Sequence, residues 1–211
     1  MRQTRGPSPR RVKLARTVRG RVDVPVPARI ASHPDVYPPS EDTYLLLRGI
    51  TLRPGERFLE VGTGSGLVAI EAARIGRVVA TDANPAAVRL ARRNAAENGR
   101  RIEVVRCDLM SAVRGPFEVV AFNPPYLEGP LADTLEAAWQ GGREGSDVAL
   151  RFLEDFPRVL GPSGRAYLLL SAGNRVARSA ANRCFRARIV ASAPLFFERL
   201  DVLELTHIDL R

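Results

Sequence analysis

"RFLEVGTGSGLVAIEAARIGRVVATD", residues 57–82, decides the fold. RFLEVG has the apolar content of a short buried strand. The chain then turns through glycines 62, 64 and 66, and GSGLVAIEAARIG continues as a helix closed by Gly76. RVVATD supplies the next strand. A strand, a glycine turn, a helix and a strand in immediate succession make a βαβ unit, whose strands lie parallel with a right-handed crossover.

The same alternation extends in both directions. Upstream, PSEDTYLLLRGI (39–50) reads as a helix with Ser40 at its N-cap and Glu41 and Asp42 in the first turn, where the helix dipole favours carboxylates. A Pro54-Gly55 turn leads from it into the first strand. Downstream, NPAAVRLARRNAAENG (84–99) is a helix with Asn84 as N-cap, Pro85 at the first helical position and Gly99 as its stop. RIEVVRCD (101–108) and FEVVAFN (117–123) are strands, DVALRFLEDFPRVL (147–160) a helix, GRAYLLLSAG (164–173) a strand and NRVARSAANRCFR (174–186) a helix. The end differs: RIVASAPLFF (188–197) and RLDVLELTHIDL (199–210) follow one another with no helix between them, as in a hairpin. The expectation is an α/β, Rossmann-like, seven-stranded and mostly parallel sheet. One antiparallel strand belongs to a C-terminal hairpin, and helices cover both faces.

A chain of 211 residues, 45% hydrophobic, buries one substantial core. It contains no apolar run long enough to span a membrane. Two cysteines, Cys107 and Cys184, form no C-x-x-C motif, and there are only two histidines, His33 and His207. That pattern points to a reducing, cytoplasmic compartment and to no metal site. The formal charge of +9 is uneven: residues 1–29 carry nine Lys and Arg against the single acid Asp23, leaving the rest of the chain nearly neutral. Residues 1–29 read as a basic, flexible extension and residues 30–211 as one domain. The extension is a solvated appendage, an arm that contacts RNA, a ribosome or an acidic partner through its charge, or an Arg-rich organellar presequence.

Residues with chemical potential gather where the strands end. Gly62, Gly64 and Gly66 allow a tight turn and close approach to a ligand, but their G-x-G-x-G spacing is not the G-x-G-x-x-G of dinucleotide sites, because Leu67 takes the last position. Asp82 ends the second strand, where an acid accepts hydrogen bonds from ribose hydroxyls; Asp108 ends the third, within reach of an adenine amino group. Taken singly, each acid is equally a helix cap or a solvated loop residue. Together with Glu60, which can hold the glycine loop or a cofactor amino group, the set suggests a nucleoside without phosphates, S-adenosylmethionine, rather than NAD.

FNPPY, residues 122–126, leaves the fourth strand at this same edge. A planar amide or aromatic amine is a poor nucleophile because its nitrogen lone pair is delocalised. Its NH₂ must be held by both hydrogens and aimed at the methyl donor. The Asn123 side-chain oxygen and the Pro124 carbonyl are acceptors for those hydrogens, Pro124 and Pro125 fix φ without offering a competing donor, and Tyr126 can stack on the planar group.

With VYPPSEDTYLLL (36–47), LEVGTGSG (59–66), FNPPYL (122–127) and AWQGGREGSDVALRFL (138–153), the chain resembles the class I S-adenosylmethionine-dependent methyltransferases of the NPPY type. Within them it is most similar to the short HemK-like branch of archaea and eukaryotes, which methylates the N5 amide of the glutamine in the Gly-Gly-Gln motif of translation release factors. The resemblance covers about residues 33–210. It implies cofactor contacts at Thr43, Glu60, Gly62, Gly64, Asp82, Asp108 and Leu109, with S-adenosylhomocysteine as product, and a target amide held by Asn123 and Pro124 beside Tyr126. It also implies a small zinc-binding activator protein at an exposed sheet edge, for which the strand at 101–108 is the candidate. Two alternatives stay open: N6-adenine methylation of RNA or DNA, which the same motif and the basic leader suit, and a non-catalytic RNA- or ribosome-binding protein on the same fold.

Overall fold

The structure is a computed structural model that describes residues 28–125, 146–195 and 198–208, together with short strand segments at Val12–Lys13, Arg16–Val18 and Arg21–Asp23. Seven strands form the main sheet: β1 (Arg57–Val61), β2 (Arg77–Asp82), β3 (Glu103–Arg106), β4 (Phe117–Phe122), β5 (Leu160–Ser171), β6 (Arg186–Leu195) and β7 (Glu198–Thr206). Their order across the sheet is β6-β7-β5-β4-β1-β2-β3. β1 pairs parallel with β2 and β4, β2 with β3, and β4 with β5, whereas β7 runs antiparallel to both β5 and β6. The mostly parallel sheet with one reversed strand in a terminal hairpin is the one expected. Chain order reverses direction at β1, which lies between β2 and β4; open α/β sheets bind ligands at such a switch point.

Alternate residues of the central strands bury on opposite faces. Phe58, Val78, Val119, Tyr167 and Leu169 pack with Leu45, Leu46, Val68 and Val88 from helices α1 (Glu41–Gly49), α2 (Leu67–Ala72) and α3 (Pro85–Glu97). Leu59, Val120, Phe122, Leu168 and Leu170 pack with Ala149, Phe152, Ala177 and Ala181 from α4 (Asp147–Asp155) and α5 (Arg175–Cys184). A sheet covered on both sides explains why its strands read as nearly continuous apolar runs.

Two helices are shorter than their sequence patterns suggested. α2 begins at Leu67, because Gly66 adopts a left-handed conformation (φ +85°) as its N-cap, and it ends at Ala72. The fourth helix stops at Asp155 instead of continuing to Leu160: Pro157 lies in the next turn, Phe156–Arg158, which is 3₁₀. Proline removes a donor and crowds the preceding turn, so the α-helix cannot pass it. β5 then starts at Leu160, earlier than expected. A further short strand, Thr51–Leu52, pairs antiparallel with Val12–Lys13 in the basic leader.

Candidate active site

The carboxyl ends of β1, β2 and β4 open into a cleft of about 370 Å³. Of the residues singled out in the sequence, Thr43, Glu60, Gly62, Gly64, Asp82, Asp108, Leu109, Asn123, Pro124 and Pro125 all line it. Gly66 does not. A Cβ there would sit 3.0 Å from Ala91 Cβ and 3.1 Å from Ala91 Cα, so this glycine lets α2 pack against α3. Tyr126 and residues 138–145 of the fourth motif fall outside the described residues.

The glycine loop is held by two acids, Glu60, which is buried, and Asp82, which is half-buried. Glu60 Oε2 accepts from Thr63 Oγ1 and, at 2.9 Å, from the Ala69 amide in the first turn of α2. Asp82 accepts from the Gly64 amide at 2.9 Å and from the Asn84 amide at 2.8 Å, one bond to each oxygen. The loop therefore follows the end of β2 as well as that of β1. A Cβ on Gly62, whose φ is +64°, would lie 3.1 Å from the Phe122 ring, so the loop also rests on the residue that precedes Asn123. Phe122 in turn packs on Phe152 with ring centroids 5.0 Å apart, fixing the strand end that carries Asn-Pro-Pro.

Burial is the largest influence on Glu60 and raises its pKa to about 8 against the lowering effect of its Thr63 and Ala69 bonds, with Asp82 adding to the rise. Burial also raises Asp82, opposed by amide bonds from Gly64, Asn84 and Ala83. The folded state thus holds protons that the unfolded chain has released. Glu60 contributes most to stability at acid pH, and that contribution is lost as pH rises from about 4.5 through about 8. Thermal unfolding of the ligand-free protein across this window should show a falling Tm, and Glu60→Gln should flatten the slope. A slope unchanged by Glu60→Gln would show that Glu60 does not titrate there.

Asp108 is half of an ion pair with Arg151 of α4, and both line the cleft. Leu109, beside it, has φ +46°, the sole positive φ of a non-glycine residue among the described residues. Such strain needs support from its surroundings, here the core cluster on which Leu109 packs and Cys107 Sγ, which donates to its carbonyl at 3.4 Å.

Asn123 turns its amide in a defined sense. Nδ2 donates to Asp42 Oδ2 at 2.9 Å, which leaves Oδ1 on the other side, buried and without a hydrogen-bond partner. An orphaned buried acceptor is costly unless a ligand completes it. Asp42, Tyr37 and Arg151 were not among the residues singled out as site residues in the sequence. Asp42 sat in plain view there, but its carboxyl was assigned only to the helix dipole.

One wall of the cleft comes from a strap, residues 28–37, laid across α3. Asn98 bonds both the amide (2.9 Å) and the carbonyl (2.8 Å) of Arg29; Asn94 bonds those of Ala31 at 3.0 and 3.3 Å. Asn84 reaches the Asp35 carbonyl at 2.7 Å. Asparagine side chains one turn apart thus hold alternate residues of an extended segment as a neighbouring strand would, and the strap brings Asp35, Val36 and Tyr37 to the cleft.

The Methyltransferase small domain family model matches residues 28–192. A protein of Methanocaldococcus jannaschii named for N5-glutamine methyltransferase activity is 37% identical over 150 residues, covering 68% of this chain and 76% of the relative. Mouse methyltransferase HEMK2 is 38% identical over 152 residues, 64% of this chain and 71% of its own. Among solved structures, that of the E. cuniculi Mtq2-Trm112 complex, which methylates the termination factor eRF1, contains a chain with a TM-score of 0.66 and 26% identity. That match covers 82% of this chain and 99% of the other. A parallel sheet with a reversed terminal strand, a glycine loop held between the acids Glu60 and Asp82 and a match across most of the chain lead to one conclusion: the chain belongs to the methyltransferase small domain family, in its HemK-like branch.

Proposed function

We propose that this protein transfers a methyl group from S-adenosylmethionine to the side-chain amide nitrogen of a glutamine, in the Gly-Gly-Gln motif of a translation termination factor. The observation that carries the proposal is the buried, unpartnered Asn123 Oδ1 at the cleft wall. The cofactor supplies an electrophilic methyl on a sulfonium. In this reading Asp82, whose carboxyl is held at the end of β2 by the Gly64 and Asn84 amides, would bind the ribose hydroxyls, and Asp108 and Leu109, which also line the cleft, would bind the base.

Asn123 Oδ1 accepts one hydrogen of the target NH₂ and the Pro124 carbonyl accepts the other, so the amide plane is set and its nitrogen faces the donor. Methyl transfer forms the N–C bond as the S–C bond breaks, and the nitrogen then sheds one proton to solvent. Orientation of this kind is worth up to about 7–11 kcal/mol in well-organised cases. Support for a protein acceptor comes from the nearly neutral charge of the domain outside residues 1–29 and from the relatives named for glutamine methylation. We extend the proposal to partners. β3 pairs on one side only, with β2, among the described residues, and its free edge suits a small activator protein. The basic residues 1–29 suit RNA or ribosome contact in the cytoplasm.

Labelled S-adenosylmethionine, offered with a termination factor, its Gly-Gly-Ala version and bulk nucleic acid in parallel, should label only the Gly-Gly-Gln protein. Label in nucleic acid alone would replace glutamine with adenine as the acceptor. Equal labelling of both factor versions would exclude that glutamine.

A further inference from the structure

We infer that Asp42 is a positioning residue for methyl transfer: it fixes which end of the Asn123 amide meets the substrate. The inference rests on the proposed transfer to an NH₂ group, whichever molecule bears it. An asparagine side chain has a donor end and an acceptor end of nearly equal shape, and rotation by half a turn exchanges them. Only the acceptor end can hold a target NH₂; the donor end would meet it hydrogen to hydrogen.

The choice is made by Asp42. Its side chain is 1% exposed at the start of α1, and its two oxygens are surrounded by donors. Oδ1 accepts from the Thr43 amide and, at 3.2 Å, from Thr43 Oγ1. Oδ2 accepts from Tyr37 Oη at 3.0 Å and Asn123 Nδ2 at 2.9 Å. The carboxyl therefore cannot turn away from Asn123 without breaking bonds to helix and strap. Asn123 must present Nδ2 to Asp42, so Oδ1 is the free end of a side chain that lines the cleft, and it is found unpartnered. α1 and the end of β4 are 81 residues apart in sequence at this contact. The pair joins a helix that touches the cofactor site through Thr43 to the loop that holds the acceptor.

The test uses the full chain and whichever acceptor the wild-type enzyme labels, so a wrong acceptor assignment does not disturb it. Asp42→Asn is nearly isosteric. It should lower kcat by about 10- to 100-fold, as expected on losing an interaction made for the transition state, while the Kd for S-adenosylmethionine stays within about threefold. In an Asn123→Ala background the same change should add nothing, because residues acting through one contact are not additive. The exchanged pair, Asp42→Asn with Asn123→Asp, restores a donor facing an acceptor and leaves an oxygen toward the cleft. It should recover at least about tenfold in kcat over Asn123→Asp alone, where two carboxyls face each other. If the exchanged pair is no better than Asn123→Asp, or if Asp42→Asn still lowers kcat in the Asn123→Ala background, Asp42 does not act through Asn123. A loss of cofactor affinity equal to the loss of kcat would likewise assign Asp42 to the cofactor site.

Discussion

Asn123→Ala lowers the rate of methyl transfer by about 10²–10³-fold, the cost of removing one well-placed partner of the reacting group. Cofactor binding survives. Alanine removes Oδ1, the acceptor without a protein partner, and also the Nδ2 that satisfies Asp42. The cofactor loop is untouched, because its supports are Glu60 and Asp82, which bond Thr63, Ala69, Gly64 and Asn84 and not Asn123. Titration calorimetry with S-adenosylmethionine alongside single-turnover methylation separates the two effects. Equal loss of binding and of rate would place Asn123 in the cofactor site and remove it from the acceptor's.

The largest effect on stability comes from the far end of the sheet. Arg165, 2% exposed on β5, donates to both oxygens of Glu56 at 3.0 and 2.8 Å, to the Thr51 carbonyl at 2.6 Å and to Tyr167 Oη at 3.1 Å. Tyr167 Oη, itself buried, continues to Glu204 at 2.9 Å. Arg165→Ala leaves a backbone carbonyl without this donor and Glu56 with only the Arg53 amide, at 2.7 Å, and the nearby Arg53 guanidinium, and breaking a pair from its buried side costs up to about 3–5 kcal/mol. Burial alone would raise the pKa of Glu56, but the Arg165 bond, the Arg53 amide and both guanidinium charges together lower it. Its stabilising contribution is therefore present above the ordinary carboxylate range and fades as pH falls. Chemical denaturation at pH 7 and pH 4 should show a smaller penalty for Arg165→Ala at the lower pH. An equal penalty at both would mean that the charge on Glu56 is not what Arg165 serves.

The mostly parallel sheet with its reversed terminal strand and the location of the cleft were legible in the sequence because they follow from local rules. The 57–82 unit has one sensible topology, and Asp82, Asp108 and Asn123 each stand at a strand's end whatever packs around them. Helix limits were less legible: the left-handed Gly66 and the 3₁₀ turn at Pro157 depend on how the next element docks. The least legible features were pairings across long sequence separations. Asp42 satisfies every rule for a first-turn acid, so nothing local marks it as the partner of Asn123. Arg151 is one arginine on an amphipathic helix until the fold sets it beside Asp108, 43 residues away.

The asparagine-held strap has a kinetic consequence. Its backbone is tied to α3 by side-chain amides and takes no place in the seven-stranded sheet, so it can lift while every ladder bond of that sheet stays closed. Such a segment opens at a fraction of the free energy of global unfolding. Hydrogen exchange at the Arg29 and Ala31 amides should be much faster than in β1 or β4, and saturating S-adenosylmethionine should slow it, because occupancy of the cleft favours the closed strap. Opening of the cleft along this wall would break side-chain bonds to Asn84, Asn94 and Asn98 and no bond of the sheet.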